Sequence, residues 1–375
     1  MSALVETYAQ FPFTLASGAG SRVRDCDGRE YWDLYGGHAV TLLGHSHAAV
    51  TRAVAEQAAT LTFYSNVAPL EVRRAAADAL AALAPAGLDH VFFCNSGSEA
   101  NENALKLAIQ QTGRTRVAAL EGGFHGRTLL ALSATANEKL RAPYEPLLCD
   151  CLRLRANAVA DADQIDETLA AVIVEPIQSM AGVIELEADF LRAIRRRCDE
   201  VGALLIYDEV QTGAGRLGRP FAAGEHGVTP DFVTLAKGIA NGVPMGAVLM
   251  TARVAQRVKI GDLGSTFGGG PLACAALLAV LRTIREQKLA DAARKFGEYA
   301  REKLCLGPVR EVIGRGCLLG LRCAADAKSV QTALLERGFI TGSSGDAHVL
   351  RLLPPLNTPL EALDQLADAL REIGE

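Results

Sequence analysis

Six short apolar runs punctuate the middle of the chain: VFFC at 91–94, VAAL at 117–120, AVIVE at 171–175, ALLIYDE at 203–209, FVTLAK at 232–237 and GAVLM at 246–250. Their hydrophobicity is near-continuous rather than alternating, the pattern of strands covered on both faces. Stretches with helical spacing lie between them. SEANENALKLAIQQTG has a serine near its start and ends on Gly113, residue types that suit the two ends of a helix. FLRAIRRRCDEVG spaces Leu191, Ile194 and Cys198 at helical intervals. Strand alternating with helix predicts an α/β architecture.

The texture changes after about residue 272. Two long helical stretches, 272–287 and about 288–306, lead to GRGCLLGLRC, a helix around 327–337 and the strand HVLRLLPP. The first 45 residues carry strand and turn signals, including SRVRDCDGREYWDL, where Asp27-Gly28 suits a hairpin turn. The expected organisation is a large domain over 46–271 and a smaller α+β domain built from both chain ends, 1–45 and 272–375. No internal repeat or low-complexity linker is visible.

A chain of 375 residues exceeds one ordinary small core, in keeping with that division. Its 49% hydrophobic and 22% charged residues are those of a globular protein. The net charge of −5 is spread along the chain without a basic run or basic–aromatic stripe, which argues against nucleic acid as a partner. Charges, Gly or Pro interrupt every apolar stretch before membrane-spanning length. MSALVETYAQFPF lacks the basic start and long apolar region of a secretory signal. Nine cysteines show no pairing rhythm, and the one close pair, Cys149 and Cys151, has no matching second pair for zinc. Reduced thiols in a cytoplasmic protein are the expectation.

Ligands of α/β sheets gather at the carboxyl ends of strands. CNSGSEAN follows one strand and opens a helix, so N–H groups around Ser96, Gly97 and Ser98 suit a phosphate, as they would an ordinary serine cap. LEGGFHGRT offers Phe124, His125 and Arg127 for stacking and carboxylate binding. Asp208 ends an apolar strand and needs a partner, either an arginine or the protonated ring nitrogen of a ligand. Lys237 ends another; it is a snorkelling surface residue or, if desolvated, a nucleophilic amine. Each signal alone is ordinary. Together they supply what pyridoxal phosphate requires: a phosphate cup, an aromatic face, a carboxylate for the ring nitrogen and a lysine to hold the carbonyl carbon as an imine.

At these residues the chain resembles the class III (ornithine/acetylornithine-type) aminotransferases. The resemblance runs from YAQFPFTLASGAG through GREYWDLYGGHAVTLLGHSH, NSGSEANENALKLA, FHGRT, EPIQ, DEVQTGAGR, AKGIANGVPMGA, STFGGGPLACAA and GRGCLLG to VLRLLPPL. It implies pyridoxal phosphate as cofactor and fold type I, whose large domain holds a mostly parallel seven-stranded sheet with one antiparallel strand. It also implies that Lys237 binds the cofactor and Asp208 pairs with its ring nitrogen. Phe124 and Val210 would cover the two ring faces, with Gln211 near the phenolic oxygen and Glu175 and Gln178 orienting such groups; a purely structural role for Glu175 stays open. Gly97 and Ser98 would hold the phosphate, and Thr266 would reach it from the neighbouring subunit of a homodimer. His45 and His47 match a structural turn of the family rather than a metal pair.

The resemblance further implies two carboxylate sites. Arg127 would take the α-carboxylate of an ω-amino donor, and Arg351 that of glutamate or 2-oxoglutarate. A glutamate two residues after the EPIQ glutamine masks the second arginine in the family; here Met180 stands in its place. Arg351 is then expected to be permanently available, unless Glu185 or Glu187 replaces the mask. His38 would line the substrate entrance, and Tyr8 would touch the substrate carboxylate. The expected activity is transfer of the ω-amino group of an acetylornithine-like donor to 2-oxoglutarate by a ping-pong mechanism. Alternatives are a class III transaminase for another amine or α-amino acid, an aminomutase or racemase on the same cofactor, and a non-catalytic binding descendant. A nicotinamide dehydrogenase is disfavoured, since no G-x-G-x-x-G follows a first strand.

Overall fold

A computed structural model describes residues 3–374. Met1, Ser2 and Glu375, which the expected N-terminal reading and small domain include, lie outside the described residues. A seven-stranded sheet runs in the order His90–Cys94, Gly246–Met250, Phe232–Leu235, Leu204–Asp208, Leu169–Val174, Arg116–Leu120 and Cys151–Leu154. Gly246–Met250 is antiparallel to both of its neighbours, and the remaining strands are parallel to one another.

The near-continuous hydrophobicity of these strands has a direct cause. Leu120, Val172, Leu205, Val233 and Leu249 enter one buried cluster, while Ala119, Ile173, Ile206, Phe232 and Val248 enter another on the opposite face. Both faces are covered, so neither set of alternate positions meets water. The strand Cys151–Leu154 was not among the expected runs. It is the sheet edge, only half-buried over most of its length, and Arg153 within it donates to the carbonyls of Ser133 and Thr135 at 2.6 and 2.9 Å.

The expected helices form as Gly97–Thr112 and Ala188–Val201, each closed by a left-handed glycine, Gly113 or Gly202. Leu191, Ile194 and Cys198 are buried along the second. The later stretches form helices Pro271–Glu286, Leu289–Lys303 and Ala327–Glu336. Helices Ala48–Thr60 and Glu71–Leu83, which the apolar pattern did not single out, pack on Pro271–Glu286.

The chain ends meet in one sheet of Leu15–Ala19, Arg22–Asp25, Glu30–Asp33 and Phe339–Ile340. Its hairpin turns through Asp27-Gly28, where Asp25 Oδ1 accepts the N–H groups of Asp27 and Arg29. Val309–Arg315, Leu318–Cys323 and Val349–Leu352 make a separate antiparallel sheet. No helix among the described residues is long and apolar enough to cross a membrane.

Candidate active site

A cavity of about 550 Å3 opens at the carboxyl ends of the parallel strands. Its first wall is the N-terminus of helix Gly97–Thr112. Ser96 caps it by accepting the Glu99 N–H at 3.1 Å, and Glu99 in turn accepts the Asn95 N–H at 2.8 Å. The Ala100 N–H is satisfied by the Ser96 carbonyl, so Gly97 and Ser98 are the positions whose N–H groups face the cavity end of the helix. A β-carbon on Gly97 would lie 2.7 Å from Val210 Cγ1, so the cradle depends on that glycine. Ser98 Oγ also accepts from the N–H groups of Arg127 and Thr128 at 3.0 and 3.2 Å, tying the FHGRT loop to the helix.

Asp208 closes the strand Leu204–Asp208 and lies on the cavity floor. Oδ2 accepts from Asn101 Nδ2 at 2.7 Å and faces His125 Nδ1 at 2.8 Å; Oδ1 accepts the Val210 N–H at 3.0 Å. Asn101 is itself fixed, donating to the His125 carbonyl and accepting from Thr234 Oγ1 at 2.6 Å. The partners of this buried carboxylate are thus a histidine, an amide and a backbone N–H; the arginine kept open as an alternative is not among them.

Lys237 follows the strand Phe232–Leu235 and holds a left-handed φ of 49° on the cavity wall. Burial lowers its pKa, while the charges of Asp208 and Glu175 pull the other way. No side chain of the described residues hydrogen-bonds its amine. Glu175 lies just beyond the strand Leu169–Val174 and accepts the Phe124 N–H at 2.9 Å. Burial, with Asp208 adding, raises its pKa to about 7. Phe124, Val210 and Gln211 share the cavity, and Gln211 Oε1 is buried with no hydrogen-bond partner.

Arg127, Met180, His38 and Tyr8 also line the cavity, Tyr8 being 72% exposed at its rim. His38 sits in a left-handed turn in which Gly36, Gly37, His38 and Ala39 all have positive φ. Such backbone costs about 1–2 kcal/mol at each residue carrying a β-carbon. Burial, then the charges of Lys237 and Arg351, lower the His38 pKa to about 4.

Residues 4–373 match the family described as Aminotransferase class-III. An acetylornithine aminotransferase of Methanopyrus kandleri is 48% identical over 382 aligned residues, which cover 99% of this chain and 97% of that protein. This chain belongs to the class-III aminotransferases. Among solved structures, the ornithine aminotransferase from Toxoplasma gondii ME49 has a TM-score of 0.92 at 31% identity, covering 99% of this chain and 93% of that one. An amine transaminase from an uncultivated Pseudomonas species, in its PLP-bound form, has a TM-score of 0.88 at 29% identity, covering 100% and 98%.

As a class-III aminotransferase the protein uses pyridoxal phosphate, and the cavity fits it. The glycine-dependent cradle at Gly97 suits a phosphate, the orphaned Gln211 Oε1 awaits a donor, and the Lys237 amine is unengaged.

The geometry corrects the expectations for Gln178, Glu175 and Arg351. Gln178 does not reach the cavity; it is fully buried and donates from Nε2 to the Glu121 carbonyl at 2.9 Å. Glu175 fixes the Phe124 backbone rather than Gln211. Arg351 is not an open site: it is 1% exposed and off the cavity wall. Neither acid offered as a replacement mask approaches it. Glu185 pairs with Arg315 at 2.8 Å, and Glu187 is the residue before helix Ala188–Val201. Thr266, whose expected place is the neighbouring subunit's site, is exposed and lies outside this chain's own cavity. His45 Nε2 bonds Asp33 Oδ2 at 2.7 Å, and His47 begins helix Ala48–Thr60. The Asn101 and His125 clasp on Asp208 was not foreseen; the only signal was that both polar residues sit in motifs at strand ends.

Proposed function

We propose that this aminotransferase moves the terminal amino group of an N-acylated diamino acid of the acetylornithine type to 2-oxoglutarate, in two alternating half-reactions. The observation that carries the donor class is Arg127. Arg127 lines the cavity with no carboxylate paired to it among the described residues, so its guanidinium can take the carboxylate of a donor whose reacting amine lies toward Lys237. The acetylornithine aminotransferase relative supports the same donor.

Bound pyridoxal phosphate supplies a carbonyl carbon for amine exchange and an electron-withdrawing ring. The chain's own residues do the rest. The N–H groups of Gly97 and Ser98 hold the phosphate, with Ser96 fixing the helix end. Asp208, clasped by His125 and Asn101, holds a proton on the ring nitrogen, and Phe124 and Val210 flank the ring. Gln211 lies near its phenolic oxygen. Lys237 Nζ, its pKa lowered by burial, is the base that moves the proton from the amine-bearing carbon of the donor. Glu175 positions Phe124. Tyr8, His38 and Met180 shape the donor entrance, and Arg351 is the second carboxylate site.

The same proposal includes a large domain over 46–271, a smaller one from 1–45 and 272–375, and a homodimer in which Thr266 completes the neighbouring site. The seven-stranded sheet within 90–250 and the sheet shared by both chain ends support the division. Exposed Phe267, next to Thr266 in the chain, supports a covered face there. Nine unpaired cysteines support a cytoplasmic setting.

The test is a half-reaction screen on the purified holoenzyme. N-acetylornithine, ornithine, 4-aminobutyrate, glutamate and alanine are each added alone while the cofactor absorbance is followed. Rapid conversion by N-acetylornithine and glutamate is expected. Conversion chiefly by alanine or 4-aminobutyrate overturns the donor assignment.

A further inference from the structure

Arg351 is a buried cation without a counter-charge. Nε donates to the Ser343 carbonyl at 2.6 Å and Nη1 to Ser179 Oγ at 2.9 Å. Both partners are neutral, as is the Tyr35 hydroxyl that also bonds it, and no carboxylate among the described residues forms an ion pair with it. A guanidinium left in this state favours any anion that can reach it. Burial accordingly pulls its pKa down.

Two side chains link the cavity wall to Arg351. His38 is on the cavity wall, and Tyr35 lies behind it. The Tyr35 ring centroid is 5.9 Å from the Arg351 guanidinium carbon. Its hydroxyl is hydrogen-bonded to His38 Nδ1, and the two rings meet edge to face with centroids 5.1 Å apart.

Two further features place the Tyr35 ring. A β-carbon on Gly342 would lie 2.4 Å from Tyr35 Cε2, so the ring occupies space that only glycine leaves. Gly342 and Arg351 exchange both backbone hydrogen bonds, at 2.9 and 2.7 Å, so this glycine is cross-strand from the arginine itself. On the other side, Asp33 Oδ1 accepts the N–H groups of Tyr35 and Gly36 at 3.0 and 2.9 Å, anchoring the left-handed turn that carries His38. Strained backbone of this kind persists where the surroundings over-determine it.

We propose that Tyr35, latched by His38, is the specificity-determining cover of Arg351: a neutral gate that the second carboxylate of a substrate displaces to reach the guanidinium. A carboxylate offers Arg351 charge-assisted hydrogen bonds that outweigh one hydroxyl–imidazole bond, whereas an acylamino group does not. The gate therefore opens to a dicarboxylate and stays shut on a donor held at Arg127. This inference rests on the reading of glutamate and 2-oxoglutarate as the second substrate pair.

The experiment uses holoenzyme carrying Tyr35→Phe, which keeps the ring and removes the hydroxyl with its bonds to His38 and to Arg351, or Gly342→Ala, which pushes the ring aside. Single-turnover conversion by glutamate and by N-acetylornithine is measured. Binding of glutarate, a dicarboxylate without an amine, is followed by the cofactor absorbance. Tyr35→Phe is expected to tighten glutarate and half-saturation by glutamate about fivefold, the weight of one ordinary hydrogen bond. The ratio of glutamate to N-acetylornithine efficiency rises by the same factor, and adding Arg351→Gln abolishes the gain.

Equal change for both substrates, or weaker glutarate binding, overturns the proposal; weaker binding would make Tyr35 a direct carboxylate ligand. If glutamate fails to convert the parent enzyme while glutarate still binds more tightly to Tyr35→Phe, the acceptor reading falls and the cover stands. Should Gly342→Ala not fold, Tyr35→Phe alone decides.

Discussion

His125 and Asp208 meet at the floor of the cavity, imidazole Nδ1 2.8 Å from carboxylate Oδ2, with both residues at most 4% exposed. The same oxygen accepts from Asn101, so one carboxylate oxygen is held from two directions. Hydrogen bonds to a buried charge are worth about 1.5–3 kcal/mol each. His125→Phe is therefore expected to weaken pyridoxal phosphate binding by about 10–100-fold, by the same energies. Equilibrium titration of the apoprotein with the cofactor checks this, and unchanged affinity would mean that the clasp does not govern cofactor binding.

Gly97 is where the cradle has no room. Gly97→Ala places a methyl 2.7 and 3.0 Å from the two γ-carbons of Val210, forcing that side chain toward the cavity. Overpacking of this kind costs about 1–3 kcal/mol. The expected result is a lower apoprotein melting temperature together with weaker cofactor binding. Val210→Ala in the same chain is expected to restore part of both.

Glu175 makes the apoprotein pH-sensitive. Burial raises its pKa to about 7, above the ordinary carboxylate value, so the folded form holds its proton more tightly than the unfolded chain. Its contribution is complete at acid pH and is lost as pH rises through about 7. Glu175→Gln keeps an oxygen for the Phe124 N–H and removes the titration. Melting temperatures of parent and variant, compared at about pH 5 and about pH 8, should show a smaller fall on the alkaline side in the variant.

Met180 is on the cavity wall, while its neighbour Ser179 holds Arg351. Met180→Glu introduces a carboxylate one residue from the serine that holds that arginine, and so brings within its reach the ion partner it lacks. The glutamate half-reaction is expected to slow about 10-fold or more, as for a binding cation that acquires a competing charge, with a smaller effect on N-acetylornithine. Single-turnover rates for the two substrates read this directly, and equal slowing would mean that the new side chain merely blocks the entrance.

Much of this arrangement was legible in the sequence because strands buried on both faces leave an unmistakable apolar run, and their ends mark the site. Asp208, Lys237 and Glu175 each terminate or follow such a run and converge in the cavity. What was not legible depended on contacts between distant segments. The edge strand Cys151–Leu154 hides because its exposed side needs no hydrophobic partner. The burial of Arg351 hides because VLRLLPPL gives no hint that Tyr35 lies beside it, 316 positions earlier along the chain. Gln178 is hidden for a similar reason: EPIQ suggests that its amide orients groups at the cofactor, and only the fold shows Nε2 donating to the Glu121 carbonyl instead.

The sheet that joins the two chain ends bears on the order in which the molecule can be made. Glu30–Asp33 pairs with Phe339–Ile340, and Trp32 Nε1 donates to Gln365 Oε1 at 2.7 Å across 333 residues. Ser21 and Thr358 bond across 337 residues. On a ribosome the first strands emerge long before their partners and must wait, unpaired at one edge, while the central sheet assembles from contacts nearer in sequence. The segment carrying Tyr35 and His38 belongs to that waiting end, so the substrate entrance is the last part of the catalytic pocket to take its final form.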